Sequence, residues 1–184
     1  LDNWLYEVDI IVVTDGGRIL GLGDLGTNGM GISMGKINLY VAGGGFHPTR
    51  ALPIQLDCGT DRKEMLEDEF YMGAKKPRIS LEDHALFLDE FCSAIKDKWP
   101  RALIQFEDFA TERAFALLEA QRKKCLCFND DIQGTGSVVL SGFINGMRAQ
   151  GTALGDAKVV FFGAGSSAVG VSQMIASLIA METG

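Results

Sequence analysis

The chain has 184 residues, a formal net charge of −7, 47% hydrophobic and 22% charged residues. That balance excludes intrinsic disorder as a description of the whole chain, and an acidic chain is poorly suited to gripping a nucleic-acid phosphate backbone. The 23 glycines have no three-residue period, so the chain is not collagen-like, and no uninterrupted apolar run approaches the roughly 18 residues of a membrane span.

Residues 8–14 carry a β-branched run, VDIIVV, and are expected to form a strand. Asp15-Gly16-Gly17 reads as a turn and residues 18–21 as a second short strand, so residues 8–22 are expected to form a hairpin. Residues 29–41 are apolar and rich in small side chains, which suits a helix packed closely on its neighbours. The glycines of TNGMGISMG (residues 27–35) oppose regular helix there, and the segment from Gly21 reads as a close-packed loop.

Residues 53–58 (PIQLDC) follow as a strand. In residues 81–98, Leu81, Ala85, Leu88, Phe91, Cys92 and Ile95 recur at helical spacing. Ser80 with Asp83 resembles a capping box. Strands are expected at 102–106, 126–128 and 158–162, and helices at 111–121, 134–150 and 166–182. This alternation implies a parallel sheet with helices packed on it. The four cysteines, Cys58, Cys92, Cys125 and Cys127, are too few for a disulfide framework, and Cys125-Leu-Cys127 is too tight for a CxxC motif. They read as buried, reduced thiols.

Two segments match a dinucleotide fingerprint, Gly21-Leu-Gly23-Asp-Leu-Gly26 and Gly163-Ala164-Gly165-Ser166-Ser167-Ala168. Context favours the second, which follows the apolar run KVVFF and opens a helix. Its glycines let the backbone approach a pyrophosphate, the N-terminus of the helix offers unpaired N–H groups, and Ala168 is small enough for close packing. A plain glycine-rich turn is the competing reading.

Glu107-Asp108 follows the expected strand 102–106, and Asp130-Asp131 follows the strand 126–128. Ligands gather at the carboxyl ends of parallel strands, and three such carboxylates suit Mg²⁺ or Mn²⁺. Neighbouring residues in a strand point to opposite faces, so Glu107 and Asp108 can share one ion only if the chain turns off the strand there. The same acids are equally suited to cap the following helices. The two histidines, His47 and His84, lack metal spacing.

The segments VVTDGGRILGLGDLGTNGMGISMGK (12–36), LIQFEDF (103–109), FNDDIQGT (128–135) and FFGAGSSAVG (161–170) together resemble the malic enzymes. The resemblance implies oxidative decarboxylation of L-malate to pyruvate and CO₂ with reduction of NAD⁺ or NADP⁺. It implies that Arg18 binds a malate carboxylate, that Lys36 is the general base for the C2 hydroxyl with Asp130 as its partner, and that Glu107, Asp108 and Asp131 hold the metal. Gly163, Ala164, Gly165, Ser166 and Ala168 are implied as cofactor-binding. It implies an α/β fold in which residues 1–129 form a parallel-sheet substrate- and metal-binding region and residues 130–184 the first part of a Rossmann-type nucleotide-binding domain. The parent is implied to be a soluble intracellular homo-oligomer, dimeric or tetrameric, in the cytoplasm or a metabolic organelle, with no nucleic-acid or membrane partner.

The family's tyrosine acid is expected upstream of Leu1, and further substrate-binding asparagines beyond Gly184. The chain is therefore expected to be a central piece of a longer enzyme, without turnover alone. At Thr111 many relatives carry asparagine, which bears on one cofactor-side contact.

Overall fold

A computed structural model describes residues 1 and 3–183. They fall into two units, Leu1–Phe128 and Asn129–Gly184.

The first unit is organised around β1 (Ile10–Thr14), buried at all five positions. A short β-branched run without polar alternation suits a strand covered on both faces. β1 pairs in parallel with β2 (Ala51–Gln55), Ile10 opposite Ala51, and with β3 (Leu103–Phe106), Ile10 opposite Leu103. With β4 (Cys127–Asn129) the order is β2-β1-β3-β4. The expected hairpin over residues 8–22 is therefore absent. Both edges of β1 are taken by β2 and β3, and residues 18–23 form a tight loop with one antiparallel bridge, Ile19 to Gly23. Pro53 sits opposite Val12 in the edge strand β2, where a missing N–H is tolerated.

The glycine-rich stretch after this loop is helical, as expected for residues 29–41 and contrary to the loop reading of the glycines in residues 27–35. A short 3₁₀ turn at Gly26–Gly29 leads into α1 (Met30–Gly44). Intrinsic propensity loses here to tertiary packing. Ile37 joins Ile10, Val12 and Ala51 in one core cluster, flanked by Tyr40, Val41, Phe46 and Leu103. The buried Ser33 donates its hydroxyl to the Ile54 carbonyl at 3.2 Å. A short helix, α2 (Lys63–Glu67), was not anticipated.

α3 (Leu81–Lys98) buries His84, Leu88, Phe91, Cys92 and Ile95, and α4 (Thr111–Gln121) buries Ala114, Leu117, Leu118 and Gln121. Ser80 Oγ caps α3 by accepting from the Asp83 N–H at 3.0 Å and donates to Asp83 Oδ2 at 2.8 Å. Ser80→Ala removes that cap and is expected to lower unfolding stability by about 1 kcal/mol, read from urea unfolding midpoints.

In the second unit, a π-helical turn (Asp130–Gly134) runs into α5 (Thr135–Gln150), and α6 (Ser166–Thr183) follows. Small residues allow close approach. A Cβ at Gly136 would lie 2.6 Å from Met174 Sδ, and one at Gly170 would lie 2.5 Å from the Ile132 carbonyl oxygen. Residues 158–162 are not a strand. A strand exists only by pairing its backbone groups, and among the described residues none pairs with this segment. Val160 and Phe162 are fully exposed.

The cysteine expectation needs correction as well. Cys58 and Cys92 are buried, but Cys125 and Cys127 are half-exposed, and all four are free thiols.

Candidate active site

β3 delivers the first acidic pair. Its direction continues through Glu107, whose N–H donates to the Val13 carbonyl at 2.9 Å. At Asp108 the backbone enters the left-handed region, φ +54. That conformation costs an L-residue roughly 1–2 kcal/mol, and aspartate is among the side chains that tolerate it. The strand alternation is broken at the residue where two adjacent carboxylates need it broken to serve one ligand. Both are buried, at 3% and 4% exposure. Gln105, two residues back and so on Glu107's side of the strand, donates its amide to Glu107 Oε2.

The exit from β1 is folded onto this pair. Thr14 Oγ1 accepts from the Gly16 N–H at 3.0 Å, and Asp15 Oδ1 accepts from the Gly17 N–H at 2.8 Å. Gly16 has φ +65, and a Cβ there would lie 1.9 Å from the Gly26 carbonyl oxygen, so only glycine fits. The turn delivers Arg18, whose N–H donates to the Asp108 carbonyl at 3.0 Å, while the Leu20 N–H donates to Asp108 Oδ1 at 3.4 Å. Arg18 is exposed, and among the described residues its guanidinium makes no ion pair.

Lys36 comes from α1. It is half-buried, and its Nζ lies 3.3 Å from Glu107 Oε1. The first unit thus brings together Arg18, Lys36, Glu107 and Asp108 from three different parts of the chain.

Behind the Arg18 turn lies a buried polar network that no sequence motif announces. The Arg78 guanidinium grips Asp24 with two bonds, Nε to Oδ2 at 3.0 Å and Nη2 to Oδ1 at 2.8 Å. It also donates to the Asp15 carbonyl at 2.9 Å, and its Nη1 lies 3.3 Å from Asp15 Oδ2. His84 Nε2 lies 3.0 Å from the same carboxylate oxygen. Burial works against charge on Asp24, but the Arg78 hydrogen bonds and the N–H groups of Asp61 and Gly26 outweigh it. Asp24 is therefore held below the ordinary carboxylate range.

Asp15, Cys58 and His84 gather closely enough to share a cation, although His84 lacks metal spacing in sequence. The Cys58 thiol is pushed up to about 12, chiefly by burial. Metal binding needs the thiolate, and the Arg78 charge already compensates Asp15.

In the second unit, Asn129 takes the capping work that was an alternative for the neighbouring acids. Its Oδ1 accepts from the Ile132 N–H at 3.0 Å, while Gln133 Oε1 accepts from the Asn129 N–H at 3.0 Å. Asp130 and Asp131 are half-buried. Asp130 lies over Gly134, where a Cβ would come within 1.9 Å of Asp130 Oδ1.

Gly163, Ala164 and Gly165 are exposed, and Gly163 has φ +131. Cβ atoms at Gly163 and Gly165 would meet nothing within 4 Å, so the backbone is open to a ligand. Ser166 begins α6, an 18-residue helix whose N-terminus carries partial positive charge. The close packing expected at Ala168 is seen at Gly170.

Residues 1–122 match the family model of the malic enzyme N-terminal domain, and residues 132–184 that of the malic enzyme NAD-binding domain. The chain belongs to the malic enzyme family. It is 56% identical over 179 residues to an NADP-dependent malic enzyme of Dictyostelium discoideum, covering 97% of this chain and 33% of that protein. It is 48% identical over 180 residues to an NAD-dependent malic enzyme of Cronobacter sakazakii, covering 98% and 32%. Among solved structures it resembles the malic enzyme of Entamoeba histolytica with a TM-score of 0.70 and 28% identity, over 92% of this chain and 31% of that one. This malic enzyme chain thus spans about a third of the length of these relatives. Among the described residues, no helix is long and apolar enough to cross a membrane.

Proposed function

We propose that this chain carries the base, a carboxylate-binding arginine and metal ligands of an enzyme that oxidatively decarboxylates L-malate to pyruvate and CO₂ with NAD⁺ or NADP⁺. The observation that carries the reading is the meeting of Lys36 with Glu107, 3.3 Å apart, beside a turn that holds Arg18 against Asp108.

Arg18 presents an exposed guanidinium fork, the geometry that binds a carboxylate with two parallel bonds. Lys36, half-buried, takes the C2-hydroxyl proton as hydride leaves that carbon. Asp130 is the proposed proton partner of Lys36. Two buried adjacent carboxylates, brought round by the left-handed Asp108, form a hard-oxygen donor set that fits Mg²⁺ or Mn²⁺. Asp131 is the proposed third ligand. A divalent cation held by these carboxylates would supply Lewis-acid polarisation of substrate oxygens, and a nicotinamide cofactor would supply the hydride acceptor. Gly163, Ala164, Gly165, Ser166 and Ala168 are proposed to receive the cofactor pyrophosphate, a reading supported by the open glycine backbone ahead of α6. Residues 1–129 and 130–184 are the proposed substrate and nucleotide regions. The longer parent is proposed to be a homo-oligomer, on family likeness.

Calorimetric titration with Mn²⁺ tests the metal assignment without turnover. Glu107→Gln is expected to weaken Mn²⁺ binding by at least about tenfold; unchanged affinity would remove Glu107 from the ligand set. The 184-residue chain alone is expected to show no malate-dependent NAD(P)H production, and steady production would refute that expectation.

A further inference from the structure

A glutamine stands in β3 where the strand pattern calls for an apolar side chain. Gln105 is fully buried, and it lies opposite Val12 of β1. Opposite residues share a face of the sheet, and Val12 belongs to the core cluster with Ile37 of α1. Gln105 therefore stands on the face that α1 covers, with apolar Val12 and Leu103 as its neighbours in the sheet.

Its amide is only half used. The Nε2 group donates to Glu107 Oε2, whereas Oε1 is buried and, among the described residues, has no hydrogen-bond partner. An ionised carboxylate only accepts, so the NH₂ end must face Glu107 and the carbonyl end must turn away. An unpaired buried carbonyl oxygen is a standing cost to the fold, and an apolar side chain of similar shape would avoid it. Stability therefore does not explain the glutamine. What it touches does. Glu107 has two oxygens in different surroundings. Oε2 takes the Gln105 amide, and Oε1 lies 3.3 Å from Lys36 Nζ. The last torsion of a glutamate is soft, and a bond to one oxygen stops the carboxylate from turning about it. The other oxygen then stays on the side of Lys36.

We propose that Gln105 is a positioning residue that makes Glu107 a one-oxygen ligand, offering Oε1 to the divalent cation and withholding Oε2, and that it thereby favours small octahedral cations over Ca²⁺. The inference rests on the reading of Glu107 as a metal ligand. Ca²⁺ accepts both oxygens of one carboxylate in a flexible shell, whereas Mg²⁺ demands near-octahedral geometry and uses few carboxylates. Mn²⁺ shares the octahedral preference. Without the Gln105 amide the carboxylate is free to turn and to offer both oxygens. The loss falls on Mg²⁺ and Mn²⁺ and largely spares Ca²⁺.

The test uses the full-length enzyme carrying Gln105→Met, Glu107→Gln or both, with Mn²⁺ and Ca²⁺ affinities measured by calorimetric titration without substrate or cofactor. Gln105→Met is expected to weaken Mn²⁺ binding by about tenfold and Ca²⁺ binding by about threefold or less. The thermal unfolding midpoint of the metal-free protein should not fall, because the variant removes an unpaired buried acceptor. In the Glu107→Gln background, Gln105→Met should change Mn²⁺ affinity by less than about twofold, since its effect passes through Glu107. If Glu107→Gln weakens Mn²⁺ binding and Gln105→Met does not, the positioning role is overturned and the metal reading stands. If Glu107→Gln leaves Mn²⁺ affinity unchanged, both fall. Equal losses for Mn²⁺ and Ca²⁺ overturn the selectivity, and independent, additive losses in the double variant overturn the action through Glu107. If Gln105→Met and Gln105→Leu both fail to fold, the amide serves the fold and the proposal is overturned.

Discussion

Lys36→Ala in the full-length enzyme is expected to lower malate turnover by about 10²–10⁴-fold, the usual contribution of a positioned general base, with a smaller change in KM. Lys36 reaches the Glu107 carboxylate from α1 at 3.3 Å and is 27% exposed, so removing it opens no core cavity. Thermal unfolding should therefore move little, which separates a chemical defect from a folding one. Lys36→Arg sharpens the case. Arginine preserves the positive charge facing Glu107 but does not deprotonate in proteins. If Lys36 acts as a base, the arginine variant stays near the level of the alanine variant. If it acts only as a fixed charge, the arginine variant recovers most of the turnover. Steady-state kinetics of the two variants with malate, NAD(P)⁺ and Mn²⁺ distinguish these outcomes, and near-normal kcat in Lys36→Ala would remove the base assignment.

The features legible in the sequence are those written in adjacent residues. The bounds of α3 follow from the Ser80–Asp83 cap and the spacing of Leu88, Phe91, Cys92 and Ile95, and α4 is similarly local. The residues at the end of β3 are visible as acids after an apolar strand. Their ability to share a ligand depends on the positive φ of Asp108, which no propensity announces. The mistaken hairpin has the opposite cause. A turn after β1 suggested the nearest strand as partner, but β1 is buried on both faces and recruits β2 and β3 from about 40 and 90 residues away. Residues 158–162 have strand composition, yet pairing is a property of two segments. The helix over residues 29–41 was legible from its apolar, small-residue pattern, and its glycines, unfavourable in isolation, are outweighed by the burial of Ser33 and Ile37 against the sheet. The Arg78 network joins residues 54 and 63 positions apart and has no local signature. The reading of Arg18 as a ligand for a malate carboxylate was carried by family resemblance alone. The structure places the Arg18 backbone beside Asp108 through the bond from its N–H to the Asp108 carbonyl.

Arg78→Ala is expected to destabilise the fold by about 3–5 kcal/mol, the usual cost of removing one partner from a buried ion pair. Arg78 is 6% exposed at its side chain and Asp15 is fully buried. Without the guanidinium, Asp15 keeps His84 and the Gly17 N–H, but Asp24 loses the bidentate partner that offsets its burial. The pH dependence identifies the cause. A carboxylate held below its unfolded value contributes stability that is fully present above the unfolded pKa and is lost as pH falls through the folded one. Asp24 is such a group in the wild type. The gap between wild type and Arg78→Ala should therefore be widest near neutral pH and narrow as pH falls from about 4, the unfolded carboxylate value, through the lower folded value of Asp24 in the wild type. Urea unfolding between neutral pH and pH 3 measures this. Arg78→Lys should recover only part of the loss, because one ammonium cannot span both Asp24 oxygens and the Asp15 carbonyl together. A variant within about 0.5 kcal/mol of wild type, in the range of an ordinary surface substitution, would show that the network is incidental. The functional consequence follows from position. The Asp15 carbonyl and side chain anchor the turn that ends at Arg18, so loosening Arg78 should raise the KM for malate before it lowers kcat.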